Sequence, residues 1–184
     1  MKKDNKKNKI SCMIICHGKS EFLLANHFRT TLRIPIIIEA DKKGKKSIQI
    51  NSLKNFLKRR NFKNKTSFEN HYSLKIDNKF RVFIIMDTDD CNKQEAVNYI
   101  NKVMFKNHWL YNYIIPIFND PNIEKVCDES KLNKMKSKTD VCRIFPDDTI
   151  PDKVKSIEHV SKKLGNCNNT NMEKMFDYLL SIQA

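Results

Sequence analysis

Three places in the 184-residue chain set carboxylates just beyond a run of β-forming apolar residues. Asp87, Asp89 and Asp90 follow Val82-Phe83-Ile84-Ile85-Met86, Glu21 lies shortly after Met13-Ile14-Ile15, and Glu124 follows the stretch YIIPIF at 113–118. An Asp-x-Asp at a strand end can turn both side chains to one side and offer hard oxygen ligands to Mg²⁺ or Mn²⁺. If the three runs are strands of one parallel sheet, their carboxyl ends share an edge, the edge where open α/β sheets place their ligands. Glu21, Asp87, Asp89 and Glu124 are therefore the candidate metal ligands. Cations clamped by shared carboxylates there would stabilise the attacking and leaving oxygens of a phosphodiester displacement.

Each of these acids also has a plainer reading. Glu21 and Glu124 fall in the first turns of helices, where the macrodipole favours acids. Asp90 is read as the cap of the helix that follows. Gly18-Lys19-Ser20 resembles the end of a P-loop, but position 13 is Met where that motif needs its first glycine. Cys16 and His17 are adjacent, so on a strand they point to opposite faces and do not form a thiol–imidazole pair.

The elements that would position the acids follow from periodicity. Five consecutive apolar residues at 82–86 suit a strand buried on both faces of a largely parallel sheet. Ser11 to Cys16 is a first strand, ended by a turn at Gly18, and Ser20 to Arg33 is a helix with Leu24, Ala25, Phe28 and Leu32 on one face. Ile34 to Glu39 is a second strand, Ser52 opens a basic helix, and Asn61 to Lys79 is irregular with a short strand around His71 to Ile76. Asn92 to Phe105 is a helix by its spacing of Ala96, Tyr99, Ile100, Val103 and Met104. Tyr113 to Phe118 is a strand in which Pro116 implies an edge position or a strand end. Further helices start near Ile123 and Pro151, and part of 131–146 is helical. Thr170-x-x-Glu173 reads as a capping box for the last helix. Alternating strands and helices predict an α/β fold with a largely parallel sheet of about four to five strands and helices on both faces.

A net charge of +14 from 35 basic and 21 acidic residues points to a polyanionic partner. The charge is clustered, with ten Lys/Arg and one acid between Asp41 and Lys65. Lys19, Lys42, Lys43, Lys45, Lys46, Lys58, Arg59 and Arg60 are the candidate nucleic-acid contacts. Residues 1–9 carry five lysines without apolar period and are expected to be a basic flexible arm preceding a single domain over 10–184. No run is long enough to span a membrane and the basic start lacks a secretory apolar core, so a cytoplasmic protein is expected. Six cysteines without Cys-x-x-Cys or zinc spacing suit reduced thiols.

IICHGKSE, followed about 70 residues later by FIIMDTDD, resembles the Toprim domain: an apolar strand ending in Glu-Gly with a second acid soon after, then an apolar strand ending in Asp-x-Asp. Within that group the chain is similar to RloB-like and OLD-family (overcoming lysogenization defect) nucleases, and Pro121-Asn122-Ile123-Glu124 is similar to the end of their later Asn-Pro-x-Phe-Glu motif. The likeness spans residues 12 to 126. It implies a Toprim-like domain with a helical C-terminal part and a divalent-metal-dependent nuclease of phage defence, with Mg²⁺ or Mn²⁺ as cofactor, nucleic acid as substrate and a defence-system ATPase as a protein partner. The catalytic positions would be His17, Glu21 and Asp87. His17 stands where the family has a glutamate; imidazole takes a proton or ligates Mn²⁺ but brings no negative charge. The alternative implied by that departure is a degenerate Toprim-fold module that binds nucleic acid or a partner without cutting.

Overall fold

A computed structural model describes residues 11–145, 147 and 149–183; the basic arm expected over residues 1–9 lies outside them. The elements in chain order are β1 (Cys12–Cys16), α1 (Lys19–Leu32), β2 (Ile36–Glu39), α2 (Leu53–Leu57), α3 (Lys65–His71), β3 (Arg81–Asp87), α4 (Lys93–Ile100), β4 (Ile114–Asn119), α5 (Ile123–Glu129), α6 (Val141–Ile144), α7 (Lys153–Leu164) and α8 (Glu173–Gln183). The four strands form one all-parallel sheet in the order β2-β1-β3-β4.

The two central strands are apolar on both faces because both faces are covered. Every residue from Cys12 to Cys16 and from Val82 to Met86 is fully buried. Alternation sorts them into two cores. Cys12, Ile14, Cys16, Phe83 and Ile85 pack with α1, α5, α6, α7 and α8, while Met13, Ile15, Val82, Ile84 and Met86 pack with α2, α3 and α4. Each fully buried side chain of this size contributes about 1.5–3 kcal/mol of hydrophobic free energy.

Pro116 sits on an outer strand, as its lack of an N–H requires. Val82 N–H donates to the Tyr113 carbonyl, which fixes the ladder phase so that alternate β4 nitrogens, Pro116 among them, face away from β3. That outer side is clasped by residues 169–171. Phe118 N–H donates to Asn171 Oδ1 (2.9 Å), Asn171 Nδ2 donates to the Pro116 carbonyl (2.9 Å), and Asn169 and Asp120 exchange further bonds. The clasp covers a sheet edge that would otherwise expose unpaired backbone.

Several local expectations are corrected. No strand occurs at 71–76; the region 61–79 instead holds α3, started by Asn64, whose side chain accepts from Ser67 N–H. The helix expected over Asn92 to Phe105 stops at Ile100, since Lys102 adopts a left-handed conformation (φ 61°) and a short 3₁₀ turn follows, leaving Val103 exposed. β2 starts at Ile36 and not Ile34, because Arg33 turns left-handed (φ 54°) to end α1. Glu173 does not close a capping box with Thr170: its Oε2 is buried without a hydrogen-bond partner, while Thr170 shares its hydroxyl between the Phe118 carbonyl and Asn119 Oδ1. Thr170 serves both the sheet edge and the helix start, since its Oγ1 also accepts from Met172 N–H at 3.2 Å. No helix among the described residues is long and apolar enough to cross a membrane.

Candidate metal and nucleic-acid site

Strand order sets the location. From β1 the chain goes outward to β2 over one face, then returns past β1 to β3 over the other, so the order reverses between β1 and β3. In open parallel sheets a crevice opens at the carboxyl ends beside such a reversal. Here those ends carry His17-Gly18 and Asp87-Thr88-Asp89-Asp90.

The register decides which side chains meet. Cys16 pairs with Ile85, both on the α1 face, and Asp87, two residues beyond Ile85, returns to that face. The same face receives Glu21 from the first turn of α1 and Glu124 from the first turn of α5. Glu21 is 2% and Asp87 7% exposed. Burial pushes the Asp87 carboxyl up to about 9; the charges of Glu21, Asp89 and Glu124 push the same way, against the Asn119 Nδ2 amide that donates to Asp87 Oδ1 at 3.2 Å. Burial likewise raises Glu21, opposed by backbone N–H groups, including Gly18 N–H on its Oε2 at 2.8 Å, and by the nearby His17, with Glu124 adding repulsion. The four expected acids thus share one electrostatic neighbourhood, and without a counter-charge Asp87 holds a proton at neutral pH.

His17 leaves the strand toward the α2 face. Its Nδ1 lies 2.9 Å from the Ile48 carbonyl, and because a carbonyl only accepts, Nδ1 carries the proton and the neutral ring keeps the Nε2 lone pair free. Ile48 N–H donates back to the His17 carbonyl, so the ring and the backbone beneath it are held by the same loop residue. Fixing one ring nitrogen by a carbonyl is how proteins aim the other at a ligand or a proton.

The two loops that carry the acids are laced together. Thr88 Oγ1 donates to Asp120 Oδ1 (2.6 Å), Asn122 Nδ2 donates to Asp89 Oδ2 (3.2 Å), and Thr88 and Asp89 N–H both donate to the Pro121 carbonyl. Asp90 does not cap α4. Asn92 does, accepting from Glu95 N–H while the Glu95 side chain returns to Asn92 N–H. Asp90 Oδ1 is instead buried without a hydrogen-bond partner, and its carboxyl is raised by burial and by Asp89, opposed by His17.

The basic residues fall into two groups. Lys42, Lys43, Lys45 and Lys46 are exposed on a loop whose Gly44, at φ +77°, lies so close to α1 that an added Cβ would stand 2.7 Å from the Gly18 carbonyl oxygen. That contact sets the lysine loop beside the acidic crevice and near Lys19, whose Nζ lies over the Phe22 ring at 5.9 Å. Lys58, Arg59 and Arg60 are exposed at the end of α2, farther out on the same loop system. Asn119 and the Ile48 carbonyl were not among the expected site groups. Asn119 was findable by the rule that selected the acids, since it ends β4 opposite Asp87; the Ile48 carbonyl leaves no signal in the sequence.

The donor set consists of hard carboxylate oxygens, which suits Mg²⁺ or Mn²⁺ chemically. As the side chains stand, though, no three of His, Cys, Asp or Glu among the described residues are grouped closely enough to hold an ion. No family model, curated protein or solved structure matches the chain.

Proposed function

We propose that the chain is a Toprim-type nuclease, hydrolysing phosphodiester bonds of DNA or RNA with a divalent cation. The observation that carries this reading is the buried Asp87 carboxyl, raised to about 9 by its burial and by the charges of Glu21, Asp89 and Glu124 near it. Negative charge gathered around a buried carboxyl favours a cation, and a protonated carboxyl is what remains in its absence. Bound Mg²⁺ or Mn²⁺, held by Glu21, Asp87, Asp89 and Glu124, would supply charge neutralisation and Lewis-acid polarisation of the phosphate. His17 Nε2, aimed by the Ile48 carbonyl, accepts the proton of the attacking water. Lys19 and the lysines at 42–46 hold the flanking phosphates, and the phage-defence setting, with an ATPase partner, follows from the Toprim likeness.

The test is cleavage of labelled single- and double-stranded DNA and RNA with Mn²⁺ or Mg²⁺, by wild type and by Asp87→Asn. Metal-dependent nicking lost in the variant is expected; equal activity in the variant would refute the assignment. A second reading is favoured by one observation, that no three ligands are grouped to hold an ion as the side chains stand. Under it the chain binds nucleic acid or a partner without cutting, and salt-sensitive binding persists in chelator and in Asp87→Asn.

A further inference from the structure

A cleft of about 710 Å³ lies away from the acids on the α3 side of the sheet edge, lined by Glu39, Arg59, Arg60, Asn61, Asn70 and His71 among others. Its volume falls in the range of small-ligand sites, about 300–1,000 Å³. Glu39 ends β2 and pairs in register with Ile15, so it faces α3 and not the metal-candidate side. Tyr72 Oη donates to Glu39 Oε1 (2.7 Å) and itself accepts from Asn61 Nδ2 (2.7 Å). This chain of bonds aims a half-buried carboxylate into the cleft. Arg59 forms a wall: its guanidinium stacks over Phe56, 4.2 Å from the ring centroid, with Phe56 buried beneath and the arginine exposed. A guanidinium supported on one face by an aromatic ring offers its other face to a nucleobase.

The geometry points to a binding pocket for one unpaired guanine of single-stranded nucleic acid, its base stacked on Arg59 and read by Glu39. With one oxygen engaged by Tyr72, the Glu39 carboxylate is a pure acceptor, and guanine is the base whose Watson–Crick edge presents two adjacent donors, N1–H and N2–H₂. A base enters such a cleft only if it is unpaired. A second cleft, about 410 Å³, shares Arg59 and reaches Lys46 and Ile48, the residue that holds His17. The strand therefore has a basic path from the pocket to the acidic crevice, with Arg60 and Lys46 on phosphates. This inference rests on the nucleic-acid part of the proposed function and adds to it strand state and base preference.

The experiment is fluorescence anisotropy in chelator, so that no cleavage enters, with labelled single-stranded DNA and RNA, oligo-A and the same oligomers with one central G, and the matching duplexes. Wild type is expected to prefer single strands to duplex and the G-containing oligomers to oligo-A. Arg59→Lys keeps the charge but removes the planar stack and should weaken single-strand binding about five- to tenfold. Glu39→Gln should erase the G preference, bringing the affinities for G-containing oligomers and oligo-A together, and Tyr72→Phe, which releases Glu39, should reduce that preference. Thermal melts confirm that each variant folds. Whether RNA or DNA binds more tightly names the source of the strand. Equal affinity for duplex and single strand, or a G preference untouched by Glu39→Gln, overturns the pocket and leaves the nucleic-acid reading intact. No binding of any oligomer at low salt overturns both.

Discussion

Replacing Asp87 by Asn should make the protein more stable at neutral pH, in proportion to the distance from the pH at which the carboxyl is ordinarily protonated. In the folded chain this carboxyl is raised from 3.8 to about 9, first by burial and then by Glu21. A raised folded-state value means that the folded form binds the proton more tightly than the unfolded one. The group's contribution to stability is therefore complete below about pH 4 and is lost as pH rises toward 9. At pH 7 the loss spans about three pH units at ~1.4 kcal/mol each, a ceiling near 4 kcal/mol, reduced where Glu21 takes up part of the repulsion. Asn119 Nδ2 donates to Asp87 Oδ1, and an Asn side chain at 87 keeps that acceptor while removing the charge. Thermal melts of both proteins from pH 5 to 8 in chelator should diverge, the variant gaining relative to wild type as pH rises; at about 2–4 °C per kcal/mol, the ceiling corresponds to a gap of about 8–16 °C at neutral pH. Mg²⁺ or Mn²⁺ should close the gap by stabilising wild type alone, by about 2.7 kcal/mol at a hundredfold excess over Kd. Parallel pH curves for the two proteins would refute the claim that Asp87 is held under charge pressure. A cation that stabilised both equally would remove Asp87 from its ligand set.

Three further outcomes test the scaffold. Tyr99 is fully buried and its hydroxyl serves the Ile84 and Ile117 carbonyls, so Tyr99→Phe should cost about 1–3 kcal/mol in urea denaturation. Gly44→Ala meets both a left-handed φ of +77° and the Gly18 carbonyl at 2.7 Å, and should lower stability by about 2 kcal/mol or more while weakening nucleic-acid binding, a coupled loss readable by melts and anisotropy. Asn171→Ala removes both bonds to the β4 edge and should cost about 1–3 kcal/mol, with faster hydrogen exchange at Phe118 N–H.

How far the sequence disclosed this arrangement depended on how local each cause was. The buried strands at 12–16 and 82–86 and the outer position of Pro116 follow from residue type alone, because burial on both faces and a missing N–H act on the residue that carries them. The placement of Glu21, Asp87, Asp89 and Glu124 toward one edge followed once the sheet was taken as parallel, since strand ends in such a sheet share an edge, though among the described residues no three stand close enough to hold an ion. Glu39 satisfies the same rule, ending IIIE, yet its place in a cleft depends on Tyr72 and Asn61, more than twenty residues away in sequence. The errors at the helix starts have different causes. Asp90 and Glu173 fit local capping patterns, but the neighbouring Asn92 took the start of α4, and Thr170 divides its hydroxyl between Met172 N–H and the β4 edge, leaving Glu173 outside the cap. The helix read through Lys102 failed for a different reason: apolar spacing continued past the point where the backbone turned left-handed.

The clasp at 169–171 has a consequence for the order in which the molecule matures. Thr170 touches Asn119 Oδ1, and the same Asn119 side chain, through Nδ2, steadies Asp87. In a chain made from its N-terminus, all four strands are complete some fifty residues before this segment exists. Until residue 171 has docked, the outer flank of the sheet stays open and Asp87 lacks its backing. A nascent chain of this protein would thus carry an open sheet edge in need of shielding and an unsteadied Asp87, and both conditions would end in the same docking event.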